Sequence, residues 1–157
     1  MSEESVRRKA RATALRMLAV RRLTESQLWT KLERKGYEDD AIAEAVDACK
    51  RFGYLDDKLF ASLYVEGARK AVGNARLIAD LVKRGIDRDS ASVSVAKASH
   101  DEDARIATAY AKLVRTKPAL SYPSAARALE RLGFPTSLIY RTLRVHAQAA
   151  FAVEAYD

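Results

Sequence analysis

Apolar positions recur along this chain in helical spacing, three times over. Leu28 and Leu32, Leu77 and Leu81, and Ala125 and Leu129 stand eight and four residues before Gly36, Gly85 and Gly133. Residues four apart share a helix face, so each pair marks the apolar stripe of a short helix. The glycines are separated by 49 and 48 residues, and each is followed by a large apolar residue: Tyr37, Ile86 and Phe134. A glycine just past a last helical turn adopts positive φ, ends the helix and lets the next residue fold back onto the stripe. Positions six, ten and thirteen after each glycine are Ile42, Val46 and Cys49, then Ala91, Val95 and Ala98, then Ile139, Leu143 and His146. That spacing predicts the buried face of a second helix. N-caps for it are predicted at Asp39 and Asp40, at Asp87 and Asp89, and at Thr136 and Ser137.

A longer helix is predicted ahead of each glycine-ended one, carrying Leu15 and Leu18, then Phe60, Leu63 and Tyr64, then Ile106, Ala109, Tyr110 and Leu113. The links between them hold caps and breakers: Thr24 with Gln27 at capping-box spacing, Gly73-Asn74, and Ser121-Tyr122-Pro123-Ser124. Ser92-Val93-Ser94-Val95 alternates as a strand does, but the repeat register places it in a helix. The expected fold is all-α: three tandem three-helix repeats over residues 1–53, 54–100 and 101–157, forming an elongated, curved helical array. A unit of about 50 residues buries too little apolar surface to stand alone, so neighbouring units should share faces.

Charge adds a second layer. Lys and Arg outnumber Asp and Glu by 28 to 21, which suits an anionic partner, nucleic acid or an acidic protein surface. The excess is uneven: residues 1–24 carry seven basic side chains against two acidic, whereas residues 25–57 carry five against nine. Basic candidates for contact are Arg7, Arg8, Lys9, Arg11, Arg16, Arg21 and Arg22 at the N-terminus, then Arg69, Lys70, Arg76, Lys83 and Arg84, then Arg115 and Lys117. Some stand near helix ends, where a cation offsets the helix dipole. No reader helix or finger is recognisable, so any DNA contact should be with phosphates.

Enzyme signatures are missing: no phosphate-binding loop, G-x-G-x-x-G turn, H-E-x-x-H helix or G-x-S-x-G elbow occurs. A single cysteine, Cys49, forbids an internal disulfide, and with His100 and His146 it makes a poor zinc set, so no metal or cofactor is expected. Cys49 is expected in the core and His146 as a partly buried structural residue. His100 precedes Asp101-Glu102-Asp103, which suits helix initiation, and Asp56-Asp57 suits capping better than acid–base chemistry. Trp29, off the stripe, is either an interface anchor or packed between units. No apolar run reaches the roughly 20 residues of a membrane span and the N-terminus is polar, so a cytoplasmic protein is expected.

Leu15-Arg16-Met17-Leu18-Ala19, Gln27-Leu28, Lys31-Leu32, Lys35-Gly36-Tyr37 and above all Phe52-Gly53-Tyr54-Leu55-Asp56-Asp57 with Phe60-Ala61 resemble the RecX family. Val72-Gly73, Lys83-Arg84-Gly85-Ile86, Leu132-Gly133-Phe134 and Ile139 extend the likeness over nearly the whole chain. Leu132 departs from the pattern, where arginine is common before the Gly-Phe pair, and Pro135 follows directly. The resemblance implies a monomeric, non-enzymatic regulator of recombination, DNA repair and the SOS response. Such a regulator lies in the groove of the RecA–DNA filament and lowers RecA's ATPase, strand-exchange and coprotease activities. The residues alone leave open a non-specific DNA-binding helical repeat protein acting without RecA, or a helical scaffold for another protein.

Overall fold

The structure, a computed structural model, describes residues 2–67, 71–98 and 101–154, with side chains described as far as residue 147. Among these residues there are nine helices and no strand: α1 (Glu3–Val20), α2 (Glu25–Arg34), α3 (Asp39–Arg51), α4 (Asp57–Glu66), α5 (Asn74–Lys83), α6 (Arg88–Ala96), α7 (Glu102–Thr116), α8 (Tyr122–Arg131) and α9 (Thr136–Glu154). None of the described helices is long and apolar enough to cross a membrane. The chain forms two compact units, Met1–Tyr64 with Asp80–Ser94 and Val65–Ala79 with Val95–Asp157. Segment 92–95 is helical, lying in α6: alternation over four residues is a weak signal beside a repeat of nearly 50.

All three repeat glycines end their helices as the spacing predicts. Their φ angles are 93°, 95° and 92° for Gly36, Gly85 and Gly133. In each stop the glycine N–H and the N–H that follows it both turn back onto the helix. Gly36 donates to the Glu33 carbonyl at 2.9 Å and Tyr37 to Leu32 at 3.3 Å; Gly85 to Val82 and Ile86 to Leu81; Gly133 to Glu130 and Phe134 to Leu129. This pair of bonds satisfies carbonyls that the helix end would leave without partners. A fourth stop of the same kind closes α3 at Gly53, φ 79°, where Tyr54 and Leu55 both donate to the Cys49 carbonyl.

The core of the first unit is built of small residues as well as leucines. Ala10 and Ala14 of α1 meet Ala41 and Ala45 of α3, and Leu28, Leu32, Ile42, Val46 and Cys49 complete the cluster. Small side chains let α1 approach α3 closely, which turns Leu15 outward and leaves Leu18 at the edge; Leu63 of α4 is likewise exposed. Cys49 is buried in this cluster, and burial pushes its thiol above the ordinary range. Trp29 packs half-buried against the same core. In the second unit Ile106, Ala109, Ala125, Leu129, Phe134, Leu138, Ile139 and Leu143 make the core. His146 departs from expectation: the register drifts outward by that turn of α9, and the ring is exposed, stacked on Tyr110 with centroids 4.3 Å apart.

Several caps also differ. Glu38 takes the cap position of α3 without a side-chain bond, so Asp39 and Asp40 fall in the first turn, where they still complement the dipole. Asp87 caps α6, accepting from the Ser90 backbone at 3.0 Å and hydroxyl at 2.6 Å, which holds its carboxyl below the usual range. Asp89 is a first-turn residue. Thr136 and Ser137 open α9 inside its first turn, because the Pro135 carbonyl already accepts from Ile139. Asp56 caps α4, accepting from Leu59, and Asp101 caps α7, accepting from Ala104. His100 lies outside the described residues.

One joint is built twice, once in each unit. In the first, the buried Thr24 caps α2 through a complete capping box with Gln27, and its hydroxyl donates to the Arg84 carbonyl at 2.6 Å. Beside it Gly85 approaches Ser26 so closely that a Cβ on the glycine would overlap the serine Cβ. The N–H of Glu25 donates to the Asp57 carboxylate at 2.8 Å. In the second unit Gly73 donates to the Leu132 carbonyl at 2.8 Å, and a Cβ on Gly133 would lie 2.6 Å from that of Arg76. There the N–H of Asn74 donates to Glu102 Oε1 at 2.8 Å. Arg105, silent in the sequence, ties Val72 and Asn74 to α7.

The glycines should therefore differ in their tolerance of alanine. Nothing stands within 4 Å of a Cβ on Gly36, so Gly36→Ala should cost only the strain of positive φ, about 1 kcal/mol. Gly85→Ala adds the overlap with Ser26, and Gly73→Ala drives a methyl into the Gly133 carbonyl, so each should cost at least about 2 kcal/mol. Urea unfolding of the three variants checks the order; equal losses would contradict it.

Candidate interaction surface

The structure divides the basic candidates by what already holds them. Arg7 and Arg11, one turn apart on α1, both face Glu44 of α3, at 3.3 and 3.9 Å. Arg84 is half-buried, its guanidinium 4.6 Å from the centre of the Tyr64 ring and donating to the Asp80 carbonyl at 2.9 Å. Arg76 belongs to the joint at Gly133 and reaches the Arg131 carbonyl at 3.5 Å. These four make contacts within the chain. Arg16 is exposed and, among the described residues, its side chain bonds only Thr13, at 3.1 Å. Arg8, Lys9, Arg21, Arg22, Lys83, Arg115 and Lys117 are exposed and make no ion pair among the described residues. Arg69 and Lys70 lie outside them.

On α1 the exposed cations form a face. Lys9 and Arg16 are two turns apart along one line, Arg8 lies next to it, and Arg21 and Arg22 follow where the helix stops. The opposite side of α1 is buried on α3, so these charges stand on a rigid element. Lys83 closes the last turn of α5, and Arg115 and Lys117 close α7, where each also offsets a helix C-terminus.

Two clefts lie in the first unit. One, of about 490 Å³, is lined by Leu15, Leu18, Ala19, Arg22, Gly53 and Tyr54. The other, of about 390 Å³, runs along α4 and α6 between Ala61, Ile86 and Val93, with Asp87 and Asp89 at its edge. Sequence reasoning missed both, although the exposed aromatics of Phe52-Gly53-Tyr54 were a signal for the first. Asp57 is spent on the Glu25 N–H, and burial raises its carboxyl above the ordinary aspartate range despite that bond. No group of three or more His, Cys, Asp or Glu side chains gathers into a metal site among the described residues.

With this geometry the comparisons with known proteins become specific. The family model for the first three-helix domain of RecX matches residues 10–49, which run from the buried face of α1 to the end of the α3 stripe. A Regulatory protein RecX from Thermobifida fusca is 31% identical over 156 residues, covering 93% of this chain and 83% of the relative. The chain belongs to the RecX family. Another member, from Mycobacterium marinum, is 36% identical over 118 residues, 74% of this chain and 66% of its own. With members from Caldanaerobacter subterraneus and Clostridium botulinum, the matched stretch spans only 42% and 38% of the relatives' length. A crystal structure of RecX from Lactobacillus salivarius shares the fold, with a TM-score of 0.80 at 21% identity over 90% of this chain and 96% of that one. A second RecX crystal structure gives 0.78 at 18% identity, over 88% and 73%.

The cations that make contacts within the chain and those that do not are separated by their effect on stability. Arg84→Gln should cost about 1 kcal/mol, through loss of the stacking on Tyr64 and the bond to Asp80. Its neighbour changed as Lys83→Gln should unfold within about 0.5 kcal/mol of the parent. Thermal or urea unfolding of the pair checks this, and equal stabilities would place Arg84 with the cations that make no such contact.

Proposed function

We propose that this RecX-family chain is a non-enzymatic regulator that binds the RecA–DNA filament and lowers RecA's ATPase, strand-exchange and coprotease activities. The observation that carries the reading is family likeness over almost the whole length, joined to a row of exposed cations left over after the fold has taken its own. The three repeats, residues 1–53, 54–100 and 101–157, act as linked modules of a cytoplasmic monomer. Linked weak contacts gain from high effective concentration, so the intact chain binds far better than one repeat. Arg8, Lys9, Arg16, Arg21 and Arg22 meet phosphates or acidic protein surface, with Lys83, Arg115 and Lys117 as further contacts; Arg69 and Lys70 join them by sequence alone. Occupying the filament obstructs incoming DNA without any chemical step.

The α1 cation face also favours a second reading, a non-specific DNA binder that acts without RecA. Phosphate contacts release counterions, so such binding falls steeply with salt and little with base sequence. The deciding experiment adds the protein, well below the molar amount of RecA, to filaments preformed on single-stranded DNA with no spare DNA. Inhibition of ATP hydrolysis is expected there, weakened sharply by truncation before Pro118 and by Arg8, Lys9 and Arg16 changed together to Gln. Inhibition that appears only when free DNA is present to be coated supports the DNA binder instead.

A further inference from the structure

The stretch Phe52-Gly53-Tyr54-Leu55-Asp56-Asp57 is accounted for by the fold at four of its six positions. Gly53 supplies a positive φ, Leu55 is buried in the first core, Asp56 caps α4 and Asp57 holds the N–H of Glu25. Phe52 and Tyr54 are not: the residues are 72% and 59% exposed, and neither side chain makes a hydrogen bond or ring contact among the described residues. Their backbone groups serve the helix stop, which any residue type would do. Two aromatics standing in water on either side of a rigid glycine turn cost solvation and gain the fold nothing.

They do not stand alone. Tyr54 lines the 490 Å³ cleft together with Leu15, Leu18 and Ala19, and Leu15 itself is 42% exposed. An aromatic and aliphatic hollow of that volume lies within the range of about 300–1,000 Å³ that ligand pockets occupy. The charged side chain on its lining is Arg22, which has no ion-pair partner among the described residues, and Arg21 stands beside it. Exposed aromatics beside arginine at a concave apolar surface are the composition of an interface centre.

We propose that this cleft is a protein-docking site, and that its occupant is an acidic segment of a RecA protomer that inserts one apolar side chain against Leu15 and Tyr54 and sets a carboxylate on Arg22. The identity of the protein rests on the function proposed above; the chemistry of the segment rests on the cleft. Charge complementarity selects a carboxylate, because the one charged side chain on the lining is Arg22 and no acid lines it. Leu15, Leu18 and Ala19 favour an apolar side chain over a nucleobase, which could stack only on the Tyr54 ring and gains little from leucine and alanine. A carboxylate meeting Arg22 in a partly desolvated cleft also forms a charge-assisted, two-pronged bond.

The test uses the full-length protein in three forms: wild type, Phe52→Ala with Tyr54→Ala, and Arg22→Glu. Each is titrated onto preformed filaments of RecA on single-stranded DNA and, at matched salt, onto the same bare DNA. Thermal unfolding should be unchanged in both variants, since all three side chains are exposed. Filament affinity should fall about tenfold or more in each variant, as for loss of a hot-spot anchor, with affinity for bare DNA unchanged in the aromatic pair. Filament binding equal to wild type in either variant overturns the docking site while leaving the proposed function standing. Parallel losses on filament and bare DNA in the aromatic pair overturn it in favour of a nucleic-acid site. A wild type that ignores the filament overturns the function, and the assignment of the segment to RecA falls with it.

Discussion

The structure depends on how closely a helix stop can approach the start of another helix. In the first unit the stop at Gly85 lies against Ser26 at the head of α2, and in the second the stop at Gly133 lies against Arg76 near the head of α5. Both contacts are backbone-close and leave no room for a Cβ. Positive φ and absence of a side chain are separate demands, and at these two positions one glycine meets both. The approach brings the orphan carbonyls of one helix end to the N-cap side of another: Arg84 to the Thr24 hydroxyl, Leu132 to the Gly73 N–H. Oppositely signed ends of two helix dipoles thereby face each other, which is favourable. The head of each receiving helix gains a carboxylate as well, Asp57 on Glu25 and Glu102 on Asn74. A three-helix segment too small for an adequate core is thus tied to the next by specific polar contacts as well as by buried area.

This economy decides which charges are free for work. Partly exposed ion pairs with Glu44 hold Arg7 and Arg11, internal contacts hold Arg76 and Arg84, and the acids at helix heads, Asp56, Asp57, Asp87, Asp101 and Glu102, accept from backbone N–H groups. These acids are fixed at helix heads, while several basic side chains on α1 and at helix ends face outward without ion-pair partners among the described residues. The formal net charge of +7 is thus distributed with acids held at helix heads and an unpaired cation row on α1. A surface of that sign on rigid helices suits a partner that presents phosphates, carboxylates or both.

The helical repeat was legible because two signals coincide in it: the stripe at four-residue spacing and a glycine whose only conformational purpose is to stop that stripe. Leu28, Leu32 and Gly36, with their counterparts Leu77, Leu81 and Gly85 and then Leu129 and Gly133, occupy the places the register gave them. The capping box at Thr24 was readable for a similar reason, being local in sequence. What escaped was everything that depends on partners distant in sequence. Gly73 reads as a breaker, yet it is required by the Gly133 carbonyl 60 residues on. Arg105 looks like any helical arginine, and Asp57 like an ordinary cap, until Asn74 and Glu25 are placed beside them. The alanine stripe of α1 misled in another way, since Leu15 and Leu18 outweigh Ala10 and Ala14 by hydrophobicity while close packing selects the small residues. For the interaction surface, sequence gave the cations but not their division, because pairing with Glu44 or stacking on Tyr64 is a tertiary fact.

The claim that the glycine stop is a contact as well as a turn is tested most directly by a double-mutant cycle between Ser26 and Gly85. If the Ser26 Cβ is the main obstacle that Gly85→Ala meets, then Ser26→Gly should restore most of the loss beyond positive-φ strain, a coupling of about 1 kcal/mol or more, whereas Ser26→Ala, which removes the Oγ overlap but keeps the closer Cβ, should restore much less. Unfolding free energies that add simply across the cycle, with no difference between glycine and alanine at position 26 beyond their separate effects, would contradict the account.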